Sequence, residues 1–459
     1  MSFVSLPFVV LALASLTLYW LLRDRLVPQN VVLLIASWVC YGWTNLTWLA
    51  LLVGLTVVNF TLGLAIERRR EMSRVLLIAG ITANLGVLFV YKYYDFFVLN
   101  VVEALAALGF RADPTLLGLA LPIGISFHVF QLIAYLVDVS RGELAARRDP
   151  LAFACFVAYF PQVAAGPIER GARLLVQFER PRSLSADAVA KGSWLIVLGT
   201  FMKVVVADPL GPLVDAGFDH ANTNAASLVA GTLAFTAQIY ADFCGYSLMA
   251  KGISALFGIE LVWNFDRPYF ATSIQDFWRR WHMSLSRWLR DYVYIPLGGN
   301  RAGPLRTEFN LLATMALAGL WHGAAWNFVV WGLLHGGALA VARRASRVGL
   351  VQRLPAAATW LLTMVVVVVG WMVFRMETLG ALANLDHFAW GAWHSAVVLL
   401  VLVLAAPVAA VEIAQWRTGD PYVVLGLGGA RSTAVTAALM FGILLFAGQF
   451  KVQFIYFQF

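Results

Sequence analysis

Formal charge is scarce in this chain. Of 459 residues, only 13% are Asp, Glu, Lys or Arg, against 61% hydrophobic, a balance that excludes a soluble domain of this length. Polar–apolar alternation is also missing, since the apolar runs are continuous, and this excludes a membrane β-barrel. Cysteine is rare: Cys40, Cys155 and Cys244 lie in apolar surroundings at spacings that suit neither a disulfide framework nor a metal site. No internal repeat, low-complexity tract or linker divides the sequence, so residues 1–459 read as one domain. The N-terminal apolar run lacks a small-residue cleavage site and leads into a further span, so it reads as a retained helix. What remains is an all-α polytopic membrane protein.

A span needs roughly 20 apolar residues. The pattern predicts about twelve membrane helices, near 3–22, 30–43, 46–66, 75–97, 118–139, 192–208, 226–248, 308–322, 326–342, 357–374, 394–414 and 432–449. The net charge of +8 comes from arginines clustered in short loops, which marks cytoplasmic loops rather than a nucleic-acid surface. Arg23 and Arg25, Arg68-Arg69-Arg70 with Arg74, Arg141 with Arg147-Arg148, and Arg343-Arg344 with Arg347 and Arg353 all fall on one side with this span count. Both termini then face the periplasm or cell exterior.

Two segments are not ordinary spans. Residues 151–168 are apolar but carry Pro161 and Gly166-Pro167 between basic loops, as expected of a segment that enters and leaves on one face. Residues 271–300 read as an interfacial amphipathic helix. Trp278, Trp281, Leu285, Trp288, Leu289 and Tyr292 gather on one side, and Arg279, Arg280, Arg287 and Arg290 on the other. His282 is placed at the edge of the apolar face.

The stretch Leu320 to Asn327 sets His322 inside an apolar run, Phe309 to Ala342, that has no formal charge. Intramembrane titratable groups are costly, and histidine is the side chain best suited to move protons near neutral pH. The bland alternative is a buried histidine bonded to a carbonyl. Residues 308–342 begin and end near cytoplasmic arginines, so they form a hairpin with its turn near Gly323 to Trp326. His335 lies lower on the returning helix, roughly 13 Å along its axis from that turn. It is no obvious partner of His322, and a structural role is expected for it. The arginines of 271–300 either snorkel to lipid phosphates or form the mouth for an anionic cytoplasmic substrate. Tyr294 to Arg301 follows, its paired glycines allowing a close turn beside Arg301. The C-terminal Phe454-Ile455-Tyr456-Phe457-Gln458-Phe459 is an aromatic tail, either an interfacial anchor or a flexible end able to fold back with its one hydroxyl, on Tyr456.

WHMSLSRWLRDY from Trp281 with the following IPLGGNR, and LWHGAAWNFVVWGLLHG from Leu320, together resemble the membrane-bound O-acyltransferase (MBOAT) family. The nearest likeness is to its bacterial polysaccharide and peptidoglycan O-acetylation branch, which includes alginate O-acetyltransferases and the D-alanyl transfer protein of teichoic acid modification. LPIGISF from Leu121, Phe160-Pro161-Gln162, Asp242-Phe243 with Gly245-Tyr246-Ser247, and the terminal FIYFQF support it along the chain. One departure is His128, where a tyrosine or phenylalanine is expected.

The resemblance implies that His322 is the essential active-site histidine and His282 the second histidine of the motif region. It also implies a central tunnel from a cytoplasmic donor side to an exterior acceptor face, with Trp321, Asn327, His335 and His128 as candidate lining. Tyr456 would carry the acyl group outward. The implied donor substrate is acetyl-CoA, docked on Arg279, Arg280, Arg287, Arg290 and Arg301, with no bound cofactor or metal. Lipid bilayer, acyl-CoA donor and a periplasmic acetyltransferase acting on a polysaccharide are the expected partners. Two other classes compete: a transporter or flippase with an intramembrane proton path, and a scaffold subunit. Against the first, no duplicated halves are visible, and Asp95, Asp138 and Asp242 sit near expected span ends.

Overall fold

Backbone groups within a bilayer must be satisfied without water, which favours helices for continuous apolar runs. The computed structural model describes residues 1–219, 224–301, 303–349, 353–378, 380, 388–450 and 454–455. Their regular secondary structure is helical, with no strand among the described residues. They gather into two compact units, Met1–Ser185 with Ser254–Leu261, and Ala186–Ile253 with Val262–Phe459.

The first unit contains α1 (Leu6–Leu21), α2 (Leu26–Gly42), α3 (Leu46–Arg68), α4 (Ser73–Leu88), α5 (Tyr94–Ala107), α6 (Ile125–Arg141), α7 (Pro150–Ala158) and the single turn α8 (Val176–Phe178). Buried amides hold these helices together, as expected where water cannot compete. Asn59 and Asn84 exchange side-chain hydrogen bonds of 3.1 and 2.7 Å between α3 and α4. The helix expected over 118–139 starts only at Ile125, because Pro122 and the left-handed Gly124 (φ 71°) precede it. Residues 159–166 after α7 are not helical and are almost wholly buried. Their polar groups find protein partners: Phe160 N–H donates to Ser37 Oγ (3.1 Å) and Gln162 to Gln131 (3.0 Å).

The second unit contains α9 (Ala186–Phe201), α10 (Asp208–Gly217), α11 (Ala225–Leu256, whose last turn belongs to the first unit), α12 (Ile274–Arg280), α13 (Met283–Leu289), α14 (Pro304–His322), α15 (Trp326–Arg347), α16 (Ala356–Arg375), α17 (Ala392–Thr418) and α18 (Gly429–Phe446). A π-helical turn, Met202–Ala207, joins α9 to α10. Helices thus occupy all twelve expected positions. Six segments are long and apolar enough on their own to cross a membrane: Leu46–Arg68, Arg70–Ala107, Ala186–Gly217, Ala356–Arg375, Ala392–Thr418 and Gly429–Phe446. The chain is a multi-pass membrane protein.

Lipid tails are as apolar as leucine, so helices in a bilayer associate through close backbone packing. A Cβ at Gly199 would fall 2.5 Å from Gly245 O, so α9 and α11 meet backbone to backbone. That seam brings Lys203, one turn beyond Gly199, opposite Asp242, one turn before Gly245. The helix also runs eight residues past the expected span end at 248, which puts Asp242 inside α11 rather than near its end.

Candidate active site

α14 ends on His322 itself, and α15 starts at Trp326 after an extended Gly323 and Ala325. The hairpin seam is set by two glycines. A Cβ on Gly319 would lie 2.0 Å from Phe328 O, and one on Gly332 2.1 Å from Met315 O. Such contact leaves no slack between the helices, so the side chains at the tip have a fixed origin.

His322 is buried there within an aromatic wall. Its ring centroid lies 4.9 Å from Trp321, 5.1 Å from Trp331 and 5.2 Å from Phe374, all edge-on. Asn327, one residue into α15, donates from Nδ2 to Phe374 O at 3.0 Å, which fixes the end of α16 against the tip. Asn327 therefore acts on the wall around His322, and Trp321 forms part of that wall.

The segment 271–300 is not one continuous helix. It breaks between α12 and α13 at His282, whose φ of 40° is left-handed. A non-glycine residue there needs outside support. Asn264 supplies it: Met283 N–H donates to its carbonyl (2.8 Å), and its Oδ1 accepts from Ser284 Oγ (2.8 Å), Ser284 N (3.3 Å) and His282 Nδ1 (3.1 Å). An amide oxygen only accepts, so Nδ1 carries the proton, and in the neutral ring Nε2 carries the lone pair. His282 is fully buried rather than at the edge of the apolar face. Its neighbours are Phe243 at 4.7 Å and Trp321 at 5.9 Å.

Trp321 is thus shared by His282 and His322, and Trp331 is shared by His322 and His335, which lies 5.0 Å from it. Three imidazoles and two indoles form a continuous row. His335 is fully buried between Trp278 (5.2 Å) and the α16 backbone, where a Cβ on Gly370 would fall 2.6 Å from its Nε2. Among the described residues neither of its ring nitrogens has a hydrogen-bond partner, so the ring is held by packing alone.

The apolar and basic sides of 271–300 do segregate. Trp281, Leu285, Trp288 and Leu289 are buried, while Arg279, Arg287, Arg290 and Arg301 are exposed. Arg280 is half-buried and pairs with Asp276 at 2.9 Å. Arg290 is bonded to Asp291 at 2.6 Å, which holds its guanidinium above the ordinary range. Beside them Asn300 accepts from Arg343 (2.9 Å) and from the Tyr294 hydroxyl, tying the Gly298-Gly299 turn to the foot of the hairpin.

His128 belongs to the first unit, on α6. It is buried with its ring 6.2 Å from Tyr41, and among the described residues neither nitrogen has a hydrogen-bond partner. Tyr456 lies outside the described residues. The two tail residues before it are buried: Phe454 packs 4.7 Å from Tyr246, and Ile455 N–H donates to Asp242 Oδ2 at 2.7 Å. Sequence reasoning missed Asn264, Trp331 and Phe374 as parts of the site. It also missed the ion cluster of Lys203 with Asp208 and Asp242, which Lys203, the lone charge within the apolar run 192–207, signals.

The chain is 41% identical over 384 residues to a Pseudomonas aeruginosa protein named "Probable alginate O-acetylase AlgI", covering 83% of this chain and 73% of that one. It is 38% identical over 389 residues to the "Peptidoglycan O-acetyltransferase" of Helicobacter pylori, covering 78% and 72%. With the "Teichoic acid D-alanyltransferase" of Bacillus subtilis it shares 28% over 228 residues, 46% of this chain and 56% of that one. Residues 33–378 match the sequence profile of the membrane-bound O-acyltransferase family. The hairpin that ends on His322, the broken segment around His282 and the helices that carry them all lie in that match, and the chain belongs to the membrane-bound O-acyltransferase family as an O-acyltransferase.

Proposed function

We propose that this protein moves an acetyl group from a cytoplasmic thioester donor, acetyl-CoA, towards hydroxyl groups of an exported polysaccharide or peptidoglycan. The observation that carries this reading is the placement of His322, at the tip of a glycine-seamed hairpin within a wall of Trp321, Trp331 and Phe374. Such a wall excludes water, which would otherwise hydrolyse the thioester. The relatives named for O-acetylation of alginate and of peptidoglycan support the acetyl group and the glycan acceptor.

In this mechanism His322 is the general base. It takes the proton of the attacking hydroxyl as the oxygen bonds to the thioester carbonyl carbon. The tetrahedral intermediate then expels the CoA sulfur, which receives that proton, leaving an ester and a free thiol. The exposed Arg279, Arg287, Arg290 and Arg301 suit the donor's phosphates, which supports a donor that arrives from the cytoplasmic side of an inner membrane. His282 suits an orienting role: its neutral ring presents an acceptor at Nε2, whereas an oxyanion calls for a donor. The first acceptor is the Tyr456 hydroxyl, and a periplasmic acetyltransferase completes the transfer to the polymer.

Acetyl content of the polymer in a His322→Ala strain tests the assignment. The expected loss is about 10²- to 10⁴-fold in rate, the usual contribution of a general base, and wild-type acetylation would sink it. For the relay, Tyr456→Phe keeps the aromatic ring and removes the hydroxyl; undiminished transfer in that variant returns Tyr456 to an anchoring role.

A further inference from the structure

Buried charge inside a membrane protein is costly, and the second unit concentrates three charged groups that the proposed reaction leaves unused. Lys203 Nζ lies 2.8 Å from Asp208 Oδ1 and 2.9 Å from Asp242 Oδ1, with the three side chains 6%, 8% and 3% exposed. One carboxylate would neutralise the lysine, yet two face it, and the cluster keeps a formal excess of negative charge. That excess has a recipient. The other oxygen of Asp242 accepts the backbone N–H of Ile455 at 2.7 Å, across 213 residues of sequence. A charged acceptor in a low-dielectric site makes this a strong bond. Phe454 completes the contact by packing on Tyr246 and, at 6.1 Å, on Phe243, the residue after Asp242. Phe243 in turn lies 4.7 Å from His282. Two consecutive residues of α11 therefore hold the tail and the second histidine.

We propose that Asp242, held by Lys203, is a positioning residue that clasps the C-terminal segment through the Ile455 N–H and seats it beside the histidine row. The inference rests on the acyl-transfer reading, and it deepens it by giving the relay residue a fixed neighbour: Tyr456 follows Ile455 by one peptide unit. The clasp acts on the backbone, so the aromatic side chains of the tail are left to their own tasks.

Ile455→Pro removes the one N–H that Asp242 accepts and leaves the ion cluster intact. Ile455→Ala keeps the N–H and trims the side chain. The full-length enzyme in vesicles, given labelled acetyl-CoA, a soluble glycan acceptor and the periplasmic acetyltransferase that completes the transfer, reads both. With Ile455→Pro, kcat is expected to fall about 10- to 100-fold, the worth of a charge-assisted hydrogen bond. KM for acetyl-CoA and the melting temperature stay at wild-type values, and Ile455→Ala keeps most of the activity. Wild-type kcat in the proline variant overturns the clasp, and so does an equal loss in the alanine variant, which would assign the docking to the side chain. Tyr456→Phe separates the two readings. Loss there with a fully active Ile455→Pro removes the clasp and leaves the relay. Loss in Ile455→Pro with a fully active Tyr456→Phe supports the clasp and removes the relay.

Discussion

His282 and His322 lie on separate helices yet share one indole, Trp321, whose ring centroid is 5.9 Å from the first and 4.9 Å from the second. Trp321 thereby sets the position of one ring relative to the other. Trp321→Ala is expected to lower acetyl transfer by about 100-fold, the typical effect of misplacing a reacting group by an ångström. Trp321→Phe, which keeps an aromatic surface, should retain much more. Equal transfer by both variants and wild type, measured as CoA release, would refute the positioning role.

The left-handed backbone of His282 allows its geometry to be separated from its chemistry. Asparagine tolerates positive φ far better than alanine. His282→Asn is therefore expected to melt near the wild-type temperature and His282→Ala well below it, while both lose acetyl transfer. A fully active His282→Asn would show that the imidazole has no part in the reaction.

Two glycines on α15 make opposite predictions. A Cβ on Gly332 would lie 2.1 Å from Met315 O on the facing helix, whereas nothing lies within 4 Å of one on Gly337. Gly337→Ala should stabilise the protein by about 0.5–1 kcal/mol through helix propensity. At the tighter contact, Gly332→Ala should destabilise it by about 1–3 kcal/mol or more through overpacking. Thermal unfolding in detergent checks both signs.

Charge reversal at Arg287 and Arg290 addresses the donor side. Both are exposed, so their attraction for an anionic donor is screened by salt. The double Glu variant is expected to raise KM for acetyl-CoA several-fold at low ionic strength, with kcat little changed and the difference shrinking as salt rises. An unaltered KM would return these arginines to lipid headgroups.

The hairpin was legible in the sequence because everything that builds it is local. Charges flank it, a glycine-containing turn interrupts it, and His322 falls at the turn by position alone. The six long apolar segments were legible for the same reason. His282 was not. Its burial depends on Asn264, 18 residues earlier, which bends the backbone and turns an expected continuous amphipathic helix into two short ones. The row of rings was equally hidden, since the spacing of His322 on α14 and His335 on α15 says nothing of Trp331 lying between them. Most distant of all is the Asp242–Ile455 bond, which no periodicity encodes.

The Lys203–Asp208 pair bears on how the chain enters the membrane. Both charges belong to one apolar segment, Ala186–Gly217, so Lys203 carries its counter-ion with it and the two side chains partition as a neutral pair. Asp242 has no such partner on α11 and finds one only when that helix folds back along α9. Pairing of the two helices therefore precedes the bond to the tail, because the carboxylate that accepts the Ile455 N–H is balanced only once Lys203 faces it.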